Sequence, residues 1–171
     1  MVSSSIQGIL VVLILLFSTS MAFSETAREI DVSVDATLDR FNKEILGAAG
    51  FIKKAKGVLI FPQVIKAGFG IGGEYGEGAL RIGGKTVEYY STMAASIGFQ
   101  FGAQAKSIIL VFTKDDALKA FRKNDGWKAG VDGSVALISL SMGDSLDTIN
   151  VKDPIVAFVF GQKGLMYNLT L

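Results

Sequence analysis

Residues 67–80 read AGFGIGGEYGEGAL, with glycine at positions 68, 70, 72, 73, 76 and 78. Each interior glycine costs a helix about 1 kcal/mol relative to alanine, so this run excludes a helix. In a strand the same glycines permit tight bending and close approach of another backbone. Gly68–Gly73 also fits G-x-G-x-x-G, the dinucleotide fingerprint. That reading needs a helix to open at the third glycine, where its N–H groups would meet a pyrophosphate. Gly76 and Gly78 forbid that helix, and the carboxylates of Glu74 and Glu77 would repel the ligand. Glycine as a sheet-bending device is the reading that remains.

The flanks agree with a bent sheet beside helices. Upstream, Ile30, Val34, Leu38, Phe41, Ile45, Ala48 and Ile52 recur at spacings of three and four. This is one stripe of an amphipathic helix over 25–56, and Gly47 and Gly50 predict a break in it. Downstream, 57–61 reads as a buried strand ended by Pro62. Strand-like segments follow at 67–73, 76–83, 85–93, 95–104 and 106–112, with Gly83–Gly84 as a hairpin turn. Thr113 with Asp116 resembles a capping box that opens a helix over 114–124. Strands resume at 131–141 and 155–161, and Lys163–Gly164 predicts a turn into a last strand, 165–170. The fold class is α+β. It has a curved, mostly antiparallel sheet or barrel-like body, an N-terminal amphipathic helix layer and one internal helix. Residues 25–171 form a single domain.

Two absences narrow the chemistry. The chain has no Cys and no His. Thiolate and imidazole metal sites, disulfides, thiol nucleophiles and the Ser-His-Asp triad are therefore excluded. A formal net charge of +1 gives no global attraction to nucleic acid. Neither a cofactor nor a metal is expected, and the chain reads as a non-enzyme.

The apolar run Ile9–Phe17 is too short for the roughly 20 residues that span a bilayer. Small residues follow it, and cleavage after Ala22 or Ser24 satisfies the small-residue rule. Residues 1–24 are expected to be a cleaved export signal, giving a periplasmic or secreted protein that associates with a membrane. An uncleaved anchor and a buried hydrophobic helix are the alternatives.

Acidic groups offer weak candidates. Glu74, Glu77 and Glu88 are a carboxylate set for acid–base hydrolysis, or simply solvated strand residues. Asp144, Asp147, Asn150 and Asp153 form an oxygen-rich loop without the EF-hand spacing, either a solvated connection or a weak calcium site. Basic groups are more suggestive. Residues 25–39 carry a net −4 and residues 40–66 a net +5. Lys53, Lys54, Lys56 and Lys66 accompany Phe51, and Arg122, Lys123 and Lys128 accompany Trp127. Lysine clusters beside rings can hold anionic headgroups while an aromatic enters the interface. At about 1 kcal/mol per basic residue, three lysines fall short of the ~4.1 kcal/mol of a millimolar Kd. A further apolar insertion or a headgroup pocket is required.

Four segments occur in order: AKGVLIFPQVIKAGFGIGGEYGEGAL, YYSTMAASIGFQFGAQAKSIILVF, NDGWKAGVDGSVAL and VAFVFGQKGLM. Over about 35–168 the chain resembles the SYLF domain, also called the yeast actin-patch protein family. The resemblance implies a lipid-binding domain with a curved, barrel-like β body and N-terminal helices. It also implies phosphoinositide binding, as in eukaryotic relatives, some of which bind actin. Motif positions include Lys56, Gly57, Phe61, Pro62, Lys66, Gly68, Gly70, Gly73, Glu74, Gly76, Gly78, Trp127, Gly130, Asp132 and Gly133. The expectation is a domain that binds anionic phospholipid at a membrane surface. Headgroup contacts are expected from Lys53, Lys54, Lys56, Lys66, Arg122, Lys123 and Lys128, and apolar contacts from Phe51 and Trp127. The alternative is an envelope structural domain that binds another protein, with actin binding as in some relatives.

Overall fold

The computed structural model describes residues 26–147 and 152–168. The expected signal at 1–24, and Asn150 of the acidic loop, lie outside them. Helix α1, Ala27–Glu44, starts at a capping box. The Thr26 hydroxyl accepts from the Glu29 N–H, and the Glu29 carboxylate accepts from the Thr26 N–H at 2.9 Å. The chain leaves α1 at Ile45 and passes Gly47 at φ +78° into α2, Ala48–Lys53. The break expected at Gly47 is therefore present. Ile30, Val34, Phe41, Ile45 and Ala48 of the stripe are buried, and Leu38 and Ile52 pack at their margin.

Two strands of unusual length follow, β1 (Gly57–Ile82) and β2 (Lys85–Phe112). They form one antiparallel hairpin whose turn is Gly83–Gly84, both at positive φ as a type I′ turn demands. The several separate strands expected here are thus two. Pro62 does not end the first of them. The pairing steps from Phe61 to Val64 through a bulge, and β1 is an edge strand, where a missing N–H leaves no ladder bond unmade. The Pro62 carbonyl accepts from the Ser107 hydroxyl at 2.7 Å.

Helix α3, Asp115–Lys123, begins at Lys114 without a side-chain cap. The capping box expected at Thr113 is absent because its hydroxyl donates instead to the carbonyls of Asp153 and Pro154. Asp115 and Asp116 in the first turn, and Arg122 and Lys123 in the last, complement the helix dipole. Strand β3 (Val135–Ser139) runs parallel to β4 (Ile155–Asn168), and β4 runs antiparallel to β2. Lys163–Gly164 does not turn the chain. Gly161 and Gly164, both at positive φ, flank a register shift, and β4 continues through it.

The sheet order is β1-β2-β4-β3, mixed, curved and open. It does not close into a barrel. The runs Val58–Phe61, Ile108–Phe112 and Ile155–Phe160 lack alternation because both their faces are covered. On one face Val58, Ile60, Ile109, Val111, Val156, Phe158 and Phe160 meet α1 and α2. On the other, Leu59, Phe61, Leu110 and Phe112 meet Leu118 and Phe121 of α3, and Leu80 from the far limb of the hairpin.

Leu80 reaches that core because the hairpin folds over on itself. A β-carbon on Gly68 would lie 2.6 Å from the Gly72 Cα, and one on Gly76 would lie 2.8 Å from the Gln63 carbonyl oxygen. Gly70 at φ +71° bends β1 at this crease, and Gly102 at φ +128° bends β2 opposite it. The returning limb is tied down at its turn end. Arg81 pairs with Asp35 at 2.9 Å, and Thr86 and Tyr89 donate to the Asp31 carboxylate at 2.7 and 3.0 Å.

Candidate functional site

A crease in a sheet turns one set of side chains away from any second layer. Phe69, Ile71, Met93 and Phe101 have that fate, with fractional exposures of 78, 74, 78 and 53%. Phe69 and Phe101 are cross-strand partners whose rings meet edge to face at 5.1 Å. Ile65 and Tyr75 extend the exposed apolar surface along β1. Large contiguous apolar patches on folded proteins are the usual mark of interaction surfaces.

Basic groups stand behind the crease. Lys66 on β1 and Lys106 on β2 share the Glu74 carboxylate at 3.9 and 2.8 Å. Two ammonium groups on one carboxylate leave a net positive site beside the apolar cluster. The Tyr75 hydroxyl donates to Glu77 at 2.9 Å, which raises its pKa.

The other candidates are dispersed. Lys53 and Lys54 are exposed at the end of α2, and Lys56, three residues beyond Lys53, pairs with Asp115 in the first turn of α3 at 3.5 Å. Arg122 is committed to Glu88 through a two-pronged bond, with Nε and Nη2 donating at 3.1 and 3.0 Å. Lys123 and Lys128 are exposed, and the Lys128 N–H donates to Asp132. Of the seven expected headgroup residues, only Lys66 lies at the crease. The two expected wedges are turned inward. Phe51 meets Phe158 edge to face at 5.4 Å, and Trp127 meets Phe121 at 5.3 Å, each packed against a core cluster. Their rings pack the helices and the 127–133 loop against the body, whereas Phe69, Ile71, Met93 and Phe101 are among the exposed apolar side chains.

The acidic candidates are also separated. Glu74 serves two lysines, Glu77 serves Tyr75, and Glu88 serves Arg122 and Tyr90. Arg122 and then Tyr90 hold the Glu88 carboxyl below its ordinary pKa, whereas burial followed by the Glu88 bond raises that of Tyr90. In the 144–153 loop the carboxylates secure turns: Asp144 accepts from the Ser141 N–H and Asp153 from the Ser134 hydroxyl. No cluster of metal-ligating side chains exists among the described residues. None of the described helices is long and apolar enough to cross a membrane.

Phe69 and Ile71 alternate with glycines in the sequence and so look like ordinary strand positions. The usable signal was the glycine spacing itself. A strand sharp enough to fold over must expose whatever stands at its bend.

Fold and site together define an α+β domain with an open mixed sheet and an exposed apolar crease. Residues 93–171 match the family model Ysc84, described as a Las17-binding protein actin regulator. This is the SYLF family to which the sequence motifs point, and the matched segment comprises most of β2 and everything after it. A comparison with curated proteins gave no match.

Proposed function

We propose that this protein binds anionic phospholipid at a membrane surface, inserting the crease of the β1–β2 hairpin into the interface. The observation that carries the reading is the exposed Phe69–Phe101 ring pair, with exposed Ile71 and Met93 further along the hairpin and Lys66 and Lys106 nearby. A fully buried large apolar side chain gains about 1.5–3 kcal/mol. Partial insertion of four therefore contributes on the order of 4–6 kcal/mol. The one net positive charge left by Lys66, Lys106 and Glu74 adds about 1 kcal/mol at an anionic surface. The sum passes the ~4.1 kcal/mol of a millimolar Kd, which the lysines alone do not reach. On this reading the protein binds and does not turn over a substrate. It acts outside the cytoplasm if residues 1–24 direct export.

Co-sedimentation with phosphatidylglycerol vesicles at low salt tests the proposal. The wild type should pellet, and a Phe69→Ser/Ile71→Ser variant should not. A folded wild type that stays in the supernatant at all lipid concentrations would overturn it.

The apolar crease supports a second reading, in which it docks a protein, as the family description of an actin regulator suggests. That complex would be insensitive to salt and would form without vesicles, and the same Ser substitutions would abolish it.

A further inference from the structure

Beside the crease, a cleft of about 440 Å³ opens between α1 and the sheet. Its lining includes Arg40, Lys106, Ser107, Lys163, Tyr75 and Glu77. We infer that this cleft is a binding site for a phosphoryl group, with Arg40 as its anchor and Lys163 and Lys106 as its flanking charges.

The guanidinium of Arg40 is positioned with unusual care for a group without a carboxylate partner. Its Nη2 donates to the Ser107 hydroxyl at 2.9 Å, and its plane is held over the Phe160 ring at 4.8 Å. Ser107 is itself fixed, because its hydroxyl donates to the Pro62 carbonyl. Gly161 at φ +64° clears the space: a β-carbon there would lie 2.5 Å from Arg40 Nη2. Yet Arg40 makes no ion pair among the described residues, and its Nε is buried without a hydrogen-bond partner. A buried donor left unmade is unfavourable, and an anion entering the cleft would supply the acceptor.

Charge and geometry together select the class of ligand. Lys163 also makes no ion pair among the described residues, and Lys106 is shared with Glu74. Glu77 is the one carboxylate in the lining, and Glu44 lines the adjoining cleft that Arg40 and Lys163 also reach. With Lys106 set against Glu74, Arg40 and Lys163 remain against the one lining carboxylate, an excess of positive charge that favours an anion. A guanidinium fork matches the oxygen geometry of a phosphoryl group. Such a group can belong to a lipid headgroup or to a free organic phosphate. Only the first source rests on the membrane reading above.

The test uses the full chain in solution and the Arg40 Nε–Hε resonance. Inorganic phosphate, glycerol 3-phosphate and soluble short-chain phosphatidic acid are titrated at constant ionic strength. Saturable movement of that resonance is expected, weakened at least fivefold by Lys163→Gln; Arg40→Gln lacks the reporter, so its loss of binding is read by titration calorimetry, where the wild-type heat of phosphate binding should vanish. Lys163 is exposed, so its variant keeps the test valid if Arg40→Gln fails to fold. A response to the short-chain lipid alone assigns the site to a headgroup, whereas a response to the free phosphates assigns it to a soluble ligand. Phe69→Ser/Ile71→Ser should leave the free-phosphate response unchanged, so a failure of vesicle docking is separable from a failure of this site. No saturable movement with any of the three, or equal affinity in Lys163→Gln, overturns the inference.

Discussion

Gly78 lies against the carbonyl oxygen of Ile60, so close that a β-carbon on Gly78 would overlap that oxygen. The two residues belong to opposite limbs of one strand, and their approach is what folds the hairpin over. Gly78→Ala must push the limbs apart, at the upper end of the ~1–3 kcal/mol typical of overpacking. Gly73→Ala is the control, since a β-carbon there meets nothing nearer than 3.8 Å. Denaturant midpoints should fall sharply for the first variant and hardly move for the second.

The capping box at Thr26 makes a second prediction. Thr26→Ala leaves the Glu29 N–H without its acceptor and should lower stability by about 1 kcal/mol. Thr113→Ala should not weaken α3 through lost capping, because the Thr113 hydroxyl bonds to the 153–154 carbonyls. Helix-resolved hydrogen exchange distinguishes the two, with faster exchange confined to the first turn of α1 in Thr26→Ala.

Acid sensitivity should trace in part to Glu88. Arg122 and Tyr90 hold its folded pKa below the ordinary value of 4.5. A depressed carboxyl contributes stability that is fully present above the unfolded pKa and is lost as pH falls through the folded one. The pair is partly exposed, so screening keeps the contribution small. Melting temperatures of wild type and Glu88→Gln should differ at neutral pH and converge at pH values below the folded pKa. A constant difference across the acid range would contradict this.

Salt should separate the two parts of membrane binding. Phe69→Ser/Ile71→Ser should cost vesicle partitioning about 2 kcal/mol, roughly thirtyfold, at any ionic strength. Lys53→Ala/Lys54→Ala, on exposed residues remote in sequence from the crease, should cost at most about 2 kcal/mol at low salt. That loss should fade as the Debye length shrinks toward ~3 Å at 1 M salt.

Much of the fold was legible wherever a local rule and the tertiary environment agreed. The stripe from Ile30 to Ile52, the break at Gly47 and the Gly83–Gly84 turn are set by periodicity and by backbone freedom, both local properties. Pro62, Thr113 and Lys163–Gly164 misled because the deciding partner was distant in sequence. Ser107 takes the Pro62 carbonyl, the 153–154 backbone takes the Thr113 hydroxyl, and β2 carries β4 through its glycines. The site shows the same division. Clusters of lysine are visible along a chain, but Phe51 and Trp127 gave no sign of which ring would face inward. The convergence of Arg40, Ser107 and Lys163 spans 123 sequence positions and exists only after the sheet has formed.

The hairpin also constrains how the molecule can assemble in time. Its register pairs Ile82 with Lys85 at one end and Gly57 with Phe112 at the other. Pairing that starts at the Gly83–Gly84 turn closes short loops first and the longest loop last, so a zipper running from turn to base meets the least entropic resistance. The limb nearest the turn would then form before the crease bends and before Ile60 is in place to receive Gly78. Until that last step the runs Val58–Phe61 and Ile108–Phe112 stand uncovered, and they are the segments by which a stalled chain would stick to its neighbours.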